Sequence, residues 1–277
     1  MQVHLAHVNT CFPAGPAGDS LAPHISLDPL LELVDVDSRA DIFKYRFLDD
    51  ARLHFRLCDL THAFIASAPR THHSFVPSSP SIDYNVSHDS NLVAVATLSS
   101  EEHPRLRTVG IDLMRIRNPW QGCEANEFIE GIAEQLTSGE NAALASLSDE
   151  SAKLRHALAL WTLKEAYTKA TGDGLLFDLK RIGFELGFRP MLPSDSYARG
   201  DEMTIGRAAL DGRGLAGWTF RLVELAEDDG TYWLAVALQD PKGDGAVKLC
   251  SGWTGRPQWA KVVGMEAIEQ AARRAPR

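Results

Sequence analysis

Residues 161–174 read WTLKEAYTKATGDG and place a carboxylate, Glu165, where the helical pattern requires an apolar side chain. Leu158, Trp161 and Glu165 follow one another at steps of three and four, so they share one face of a helix. A carboxylate on a packing face is costly unless a cation or a metal pairs with it. Lys169 lies one turn further along, in the favourable order of Glu before Lys. An ordinary surface ion pair explains the same spacing, so other segments must decide between the two interpretations.

A second carboxylate lies about fifty residues upstream, in the segment VGIDL at 109–113. Side chains of a strand alternate between its two faces, so Asp112 shares a face with Gly110 and Met114. The glycine leaves room for a close approach to the backbone. A satisfied buried aspartate explains Asp112 alone. Together with Glu165 it offers two hard oxygen ligands, which suit Mg²⁺ because that ion takes one or two carboxylates plus substrate phosphates.

The third segment is YNVSHD at 84–89, which precedes the apolar run 92–96. The run predicts a strand, and Ser87 and His88 just ahead of it can donate hydrogen bonds to phosphate oxygens. A polar turn that leads into a core strand is the alternative interpretation of these residues.

In order and approximate spacing, the three segments resemble the signature of the 4′-phosphopantetheinyl transferases, of the larger two-lobed type and above all of its fungal members. The resemblance implies an α+β fold: a pseudo-dimer of two similar α/β lobes with the active site in the cleft between them. On this basis residues 1–105 form an N-terminal lobe with the coenzyme A nucleotide contacts. Residues 106–240 form a C-terminal lobe with the magnesium and catalytic carboxylates, and residues 241–277 form a C-terminal extension with a helix.

The same resemblance implies the activity, a Mg²⁺-dependent transfer of the 4′-phosphopantetheine arm from coenzyme A to a serine of an apo carrier protein, releasing 3′,5′-ADP. Phosphoryl transfer depends on positioning and charge neutralisation more than on covalent chemistry. Asp112 and Glu165 are the expected magnesium ligands, and Glu165 is also the expected general base. Lys169 is expected to neutralise the charge that develops on the phosphate.

The nucleotide end of coenzyme A has its own set of expected contacts. Ser87 and His88 hold it, Lys164 adds to the phosphate pocket, and Arg46 meets the 3′-phosphate because a guanidinium binds phosphate bidentately. A solvated surface arginine is the alternative interpretation of Arg46. Arg70 is expected to replace in part the contacts of a Gly-Lys-Pro segment that family members have and this chain lacks.

Two departures from the family pattern accompany the resemblance. Bacterial two-lobed members carry a second acidic residue where this chain has Met114, so a water and Asp89 are the candidates to supplement the metal shell. The Gly-Lys-Pro segment that precedes the Asn-x-Ser-His motif is replaced by RTHHSFVP at 70–77, which contains no lysine. An alternative function therefore stays open: a repurposed or inactive member that acts as a scaffold or performs other chemistry in the same cleft. A magnesium-dependent phosphohydrolase is a third interpretation.

Composition excludes several classes of protein. The chain has 277 residues, of which 44% are hydrophobic and 23% charged, values of a globular protein rather than a disordered one. No run of about 18 apolar residues occurs, so we expect no membrane span. The net charge of −9 argues against a nucleic-acid partner. The four cysteines are single and widely spaced, which fits a reduced cytoplasm.

We therefore expect a cytoplasmic monomer whose partners are coenzyme A and apo carrier domains, in polyketide and nonribosomal peptide biosynthesis or in fatty-acid or lysine pathways.

Apolar periodicity also predicts the main elements. Strands are expected around Val3 and Leu5, near 92–98, around Asp112, and near 181–188, 217–224 and 231–238. Helices are expected over 48–65, around 128–136, from a cap at Ser148 to Thr171, and from about Trp259 to Arg274. Residues 67–81 are a predicted surface connection, and Gly172 is the predicted end of the long helix.

Overall fold

The computed structural model describes residues 1–7, 82–119, 124–187, 202–250 and 260–262. The described chain has an α+β fold in which two β-sheets pack face to face and helices cover the outer face of the larger sheet. The predicted helix over 48–65 and the connection over 67–81 lie outside the described residues.

The elements are named in chain order. The strands are β1 Gln2–His7, β2 Ile82–Asp89, β3 Leu92–Ser99, β4 Val109–Arg115, β5 Ile182–Leu186, β6 Glu202–Leu210, β7 Arg213–Gly214, β8 Trp218–Glu227, β9 Gly230–Gln239, β10 Ala246–Cys250 and β11 Ala260–Val262. The helices are α1 Ala125–Ile132, α2 Ser138–Ala145 and α3 Glu150–Thr171.

The first sheet has the strand order β11-β1-β3-β2. It corrects two predictions. The polar segment that holds Ser87 is itself a strand, β2, which forms an antiparallel hairpin with β3. The predicted C-terminal helix is wrong at its start, because Ala260–Val262 is a strand that pairs in parallel with β1. A distant partner thus decides the conformation of this short segment.

The second sheet has the order β4-β9-β8-β10-β6-β5, with β7 paired to β6. The strands predicted near 181–188, 217–224 and 231–238 are confirmed as β5, β8 and β9. Strand β4 pairs with β9 on one side and stands at the edge of this sheet. The C-terminal segment after residue 240 contributes β10 to the second sheet and β11 to the first. The division into lobes at 105 and 240 stays a prediction.

The two faces of the second sheet bury different cores. The face toward the first sheet carries the odd-numbered side chains of β4, Val109, Ile111 and Leu113, as the alternation predicts. The opposite face packs against the three helices, and Met114 contacts that core. Asp112 shares this helix-facing side, which places it between β4 and the helix that packs there.

Helix α3 begins and ends at residues that suit its termini. Asp149 is its N-cap and accepts a 2.7 Å hydrogen bond from the Ala152 N–H, so the cap lies one residue later than predicted. Gly172 ends the helix with a φ of 77°, in the left-handed region that glycine favours, which confirms the prediction. No helix in the described part of the chain combines the length and apolarity that a bilayer span requires.

Candidate active site

A glycine brings helix α3 directly onto strand β4. A Cβ added to Gly110 would lie 2.0 Å from the Ala166 carbonyl oxygen and 2.8 Å from the Ala170 Cβ. The prediction that something approaches the backbone closely at Gly110 is confirmed, and the approaching group is the helix. Two alanines one turn apart complete the contact, so the residues just before each of them, Glu165 and Lys169, lie beside β4.

The exposed line along α3 confirms that Glu165 and Lys169 share one face. Between His156 and Ala170 every helix residue is buried except Trp161, Glu165 and Lys169, which are half-buried and four residues apart. Because the rest of this part of the helix is buried, a substrate can reach its polar side chains only along this line, at Glu165 and Lys169. The predicted stripe is confirmed only in part: Trp161, Glu165 and Lys169 share this line, but Leu158 is fully buried, and the line is the accessible side of the helix rather than a packing face.

Lys169, Asp112 and Ser87 form one hydrogen-bonded cluster. The Lys169 Nζ lies 2.7 Å from the Asp112 Oδ1 and donates a 3.0 Å hydrogen bond to the Ser87 Oγ. The Ser87 hydroxyl donates to the same Asp112 oxygen at 2.9 Å. It also accepts a 3.1 Å hydrogen bond from the Leu113 N–H. The helix, the edge strand β4 and the first sheet each contribute one member of this cluster.

Two carboxylates share the positive charge of Lys169. Burial raises the pKa of Asp112, and the nearby Lys169 opposes that rise. Burial also raises the pKa of Glu165, and the charge of Asp112 raises it further, while Lys169 lowers it. The side chain of Asp112 is only 11% exposed. Both carboxylates thus lie where a further cation would stabilise their charged forms.

This donor set fits Mg²⁺, because one or two carboxylates plus substrate phosphates are the ligands this ion usually takes in proteins. Asp112 and Glu165 provide the two carboxylates. No group of three His, Cys, Asp or Glu side chains within the described ranges could hold a metal ion unaided. Oxygens from the substrate and water would therefore have to complete the coordination.

A ladder of side chains from β2 covers the free edge of β4. Alternate residues of β2 accept hydrogen bonds from alternate backbone N–H groups of β4, at distances of 2.6–3.1 Å. The donor–acceptor pairs are Val109–Asp83, Ile111–Asn85, Leu113–Ser87 and Arg115–Asp89. Sequence reasoning missed this seam, although polar residues at every second position of YNVSHD are a signal for it. The seam fixes the position of the first sheet relative to the candidate site.

Asp89 is a member of this ladder. Its Oδ2 accepts a 2.6 Å hydrogen bond from the Arg115 N–H, and its Oδ1 accepts one of 2.9 Å from the Ser90 hydroxyl. Each oxygen thus accepts one hydrogen bond at the end of the seam, and the supplementary role of Asp89 in the metal shell stays a prediction.

Lys164 requires a correction. Its side chain is fully buried, and its Nζ pairs with the Glu140 Oε2 at 2.8 Å and donates to the carbonyl oxygens of Leu179 and Ile182. An ammonium has three N–H donors, so these partners use all of them. Lys164 therefore cannot serve the predicted phosphate pocket without breaking a buried ion pair, because it faces the core rather than the exposed line of α3.

Of the remaining predicted contacts, only His88 lies within the described residues. His88 is exposed and follows Ser87 on β2, so its side chain points to the opposite face of the strand. Arg46 and Arg70 lie outside the described residues, and their roles stay predictions. The structure thus brings together Ser87, Asp112, Glu165 and Lys169, and it directs Lys164 toward the core.

Comparison with known proteins agrees with the geometry. The model of the 4′-phosphopantetheinyl transferase superfamily matches residues 108–190, the segment that contains β4 and α3. Over these residues the chain is similar to that superfamily. Two fungal relatives support the predicted similarity to fungal members. The chain is 34% identical over 158 residues to the 4′-phosphopantetheinyl transferase pptA of Paxillus involutus. It is 26% identical over 247 residues to 4′-phosphopantetheinyl transferase 1 of Fusarium mangiferae.

The extent of these matches differs between relatives. The aligned region covers 55% of this chain and 53% of the Paxillus protein, and 79% of this chain and 80% of the Fusarium protein. The human L-aminoadipate-semialdehyde dehydrogenase-phosphopantetheinyl transferase is 32% identical over 59% of this chain and 48% of its own length. The chain thus spans about half the length of the Paxillus and human relatives.

Proposed function

We propose that this protein is a phosphopantetheinyl transferase, which moves the 4′-phosphopantetheine arm from coenzyme A to a serine of an apo carrier protein and releases 3′,5′-ADP. The observation that carries the proposal is the crossing of α3 over β4 at Gly110. It sets Asp112 of β4 beside Glu165 and Lys169, which lie on the solvent-accessible line of the helix.

In the proposed reaction the carrier serine oxygen forms a bond to the phosphorus next to the pantetheine arm. The bond from that phosphorus to the bridging oxygen breaks, and the oxygen leaves with 3′,5′-ADP. Glu165 receives the serine proton. Its position on the solvent-accessible line of α3 supports this role, because a base must lie within reach of the proton that it accepts.

Lys169 supplies positive charge at the reacting phosphate. Within the described part of the chain, two of its three N–H donors contact Asp112 and Ser87, which leaves one donor for a phosphate oxygen. Because those two contacts already hold the ammonium in place, little reorganisation is needed as negative charge develops in the transition state.

Asp112 and Glu165 are the residues that would hold Mg²⁺, which when bound supplies charge neutralisation for the pyrophosphate of coenzyme A. If this part of the site lost its positive charge, the anionic substrate would lie beside the carboxyl groups of Asp112 and Glu165. Burial raises the pKa of both groups, because it disfavours their charged forms. Arg46, Arg70 and His88 are the proposed contacts to the nucleotide end. Polyketide and nonribosomal peptide carrier domains are the proposed acceptors.

The direct test is to incubate the protein with coenzyme A, Mg²⁺ and an apo carrier protein and to weigh the carrier by intact mass spectrometry. We expect a mass gain of one phosphopantetheine arm and release of 3′,5′-ADP. A carrier whose acceptor serine is replaced by alanine is the matched control and should gain nothing. Hydrolysis of coenzyme A without a carrier would indicate a phosphohydrolase instead. Absence of both coenzyme A binding and transfer would favour a repurposed member.

A further inference from the structure

The hydroxyl of Ser87 has no hydrogen-bonding capacity left for a ligand. A serine hydroxyl has one donor and two acceptor positions. The donor is used by the Asp112 Oδ1, and the two acceptor positions are used by the Leu113 N–H and the Lys169 Nζ. The residue is also buried, with 4% of its surface exposed. A phosphate could contact this hydroxyl only by displacing an existing partner.

We infer that Ser87 is a positioning residue that holds Asp112 and Lys169 in register, rather than a contact to coenzyme A. This inference rests on the proposed transferase function and replaces the expectation that Ser87 binds the nucleotide. Ser87 belongs to β2 of the first sheet, whereas Asp112 and Lys169 belong to β4 and α3. The orientation of both charged groups thus depends on a side chain from the opposite sheet.

The physical reason lies in what Asp112 and Lys169 lose without the hydroxyl. Asp112 would lose one donor to the oxygen that Lys169 also contacts, and Lys169 would lose one of its two acceptors. The lysine side chain has several rotatable bonds, so a single remaining partner leaves its position poorly defined. Groups that orient metal ligands and charged side chains typically affect activity or metal affinity by about 10–100-fold.

Asn85 provides a matched control within the same ladder. Its Oδ1 accepts a 3.1 Å hydrogen bond from the Ile111 N–H, just as the Ser87 Oγ accepts from the Leu113 N–H two residues along. Among the described hydrogen bonds, Asn85 reaches neither Asp112 nor Lys169. Alanine at either position therefore removes one ladder contact, and only the Ser87 variant also removes contacts to the charged cluster.

The experiment compares Ser87→Ala and Asn85→Ala with the wild-type protein in three measurements. These are kcat and KM for coenzyme A in the transfer assay, coenzyme A affinity by calorimetry without metal, and affinity for Mn²⁺ alone by electron paramagnetic resonance. We expect Ser87→Ala to lower kcat and Mn²⁺ affinity by about 10–100-fold with unchanged KM and coenzyme A affinity. Asn85→Ala should lower the melting temperature without changing kcat or Mn²⁺ affinity.

Two results would overturn the inference. One is a loss of coenzyme A affinity of about tenfold or more in Ser87→Ala with kcat preserved, the size expected when a hydrogen bond to a charged phosphate disappears. The other is an equal effect of both variants on kcat and Mn²⁺ affinity, which would show a structural role only. If the alanine variant does not fold, Ser87→Cys, which keeps the volume and weakens the hydrogen bonds, is tested with the same expectations.

The Mn²⁺ measurement separates this inference from the proposed function. A wild-type protein without transfer activity would contradict the transferase, while weaker Mn²⁺ binding by Ser87→Ala alone would still support the positioning role. An active wild type whose Ser87→Ala variant matches it in kcat and Mn²⁺ affinity would contradict only the positioning role.

Discussion

Two lysine–carboxylate pairs on one helix differ in what surrounds them. Lys164 pairs with Glu140 where their side chains are 0% and 2% exposed, and every N–H of the lysine has a partner. Lys169 pairs with Asp112 where the lysine side chain is 29% exposed. The two lysines lie five positions apart along α3, which turns one toward the core and the other toward solvent.

The partners of Glu140 explain why the buried pair is structural. Its Oε2 accepts a 2.7 Å hydrogen bond from the Thr137 N–H in the capping box of α2, and its Oε1 accepts one of 2.9 Å from the Phe184 N–H of β5. The Glu140–Lys164 pair therefore joins two helices and a strand. The Asp112–Lys169 pair has a second carboxylate nearby and an accessible side, so it can exchange partners with a substrate.

The largest expected effect is on turnover in Glu165→Gln. Loss of a general base lowers the rate by about 10²–10⁴-fold, while stability should stay equal or rise because burial disfavours the charge of Glu165. Glu140→Gln is the matched control and should lower stability with little change in turnover. The measurements are transfer rate and melting temperature. Full turnover in Glu165→Gln would contradict the assignment of the base.

The next effect is on folding. Lys164→Met should lower the free energy of unfolding by about 3–5 kcal/mol, because it leaves the buried charge of Glu140 without its cation. Adding Glu140→Gln to this variant should recover part of the loss. Urea unfolding followed by circular dichroism measures both, and the protein that stays folded should keep its turnover. Stability like that of the wild type would mean that the pair does not support the fold.

Lys169→Met makes the same chemical change at the other pair. We expect turnover to fall by about 10²–10³-fold, as when one preorganised donor to a developing charge is removed. The free energy of unfolding should fall by only about 1–2 kcal/mol, because the site is partly exposed. Steady-state kinetics and urea unfolding in parallel with Lys164→Met test this. The two-pair comparison fails if both variants lose stability equally and keep turnover.

The smallest effect concerns His156, a buried residue of α3 that Glu140 influences. Burial lowers the pKa of His156, and the Glu140 charge opposes that shift. The unfolded chain then binds the proton first as pH falls below about 6.5. Stability that His156 contributes is therefore present above that pH and is lost as pH falls toward the folded pKa.

His156→Leu should remove this part of the pH dependence. The wild type should therefore lose more unfolding free energy than the variant between neutral and mildly acidic pH, at about 1.4 kcal/mol for each pKa unit by which the folded and unfolded states differ. Parallel urea titrations at both pH values measure it. An identical pH dependence in the two proteins would show that His156 titrates as in the unfolded chain.

Local patterns in the sequence determined much of the candidate site. The spacing of Trp161, Glu165 and Lys169 indicated one helix face, and the alternation around Asp112 indicated a strand with the carboxylate on the face opposite Ile111. Both were confirmed because helix and strand periods are set by the backbone within a few residues. Gly172 as the end of α3 follows from the same local rules.

Tertiary structure alone decided the contacts between distant segments. Lys164 and Lys169 belong to the same motif, and only the position of Glu140 and β5 makes the first of them structural. The ladder from β2 to β4 and the parallel pairing of β1 with β11 join residues that no local period relates. The sequence thus determined which side chains share a face, whereas packing determined which partners they meet, because partner choice depends on burial and on chain segments far apart.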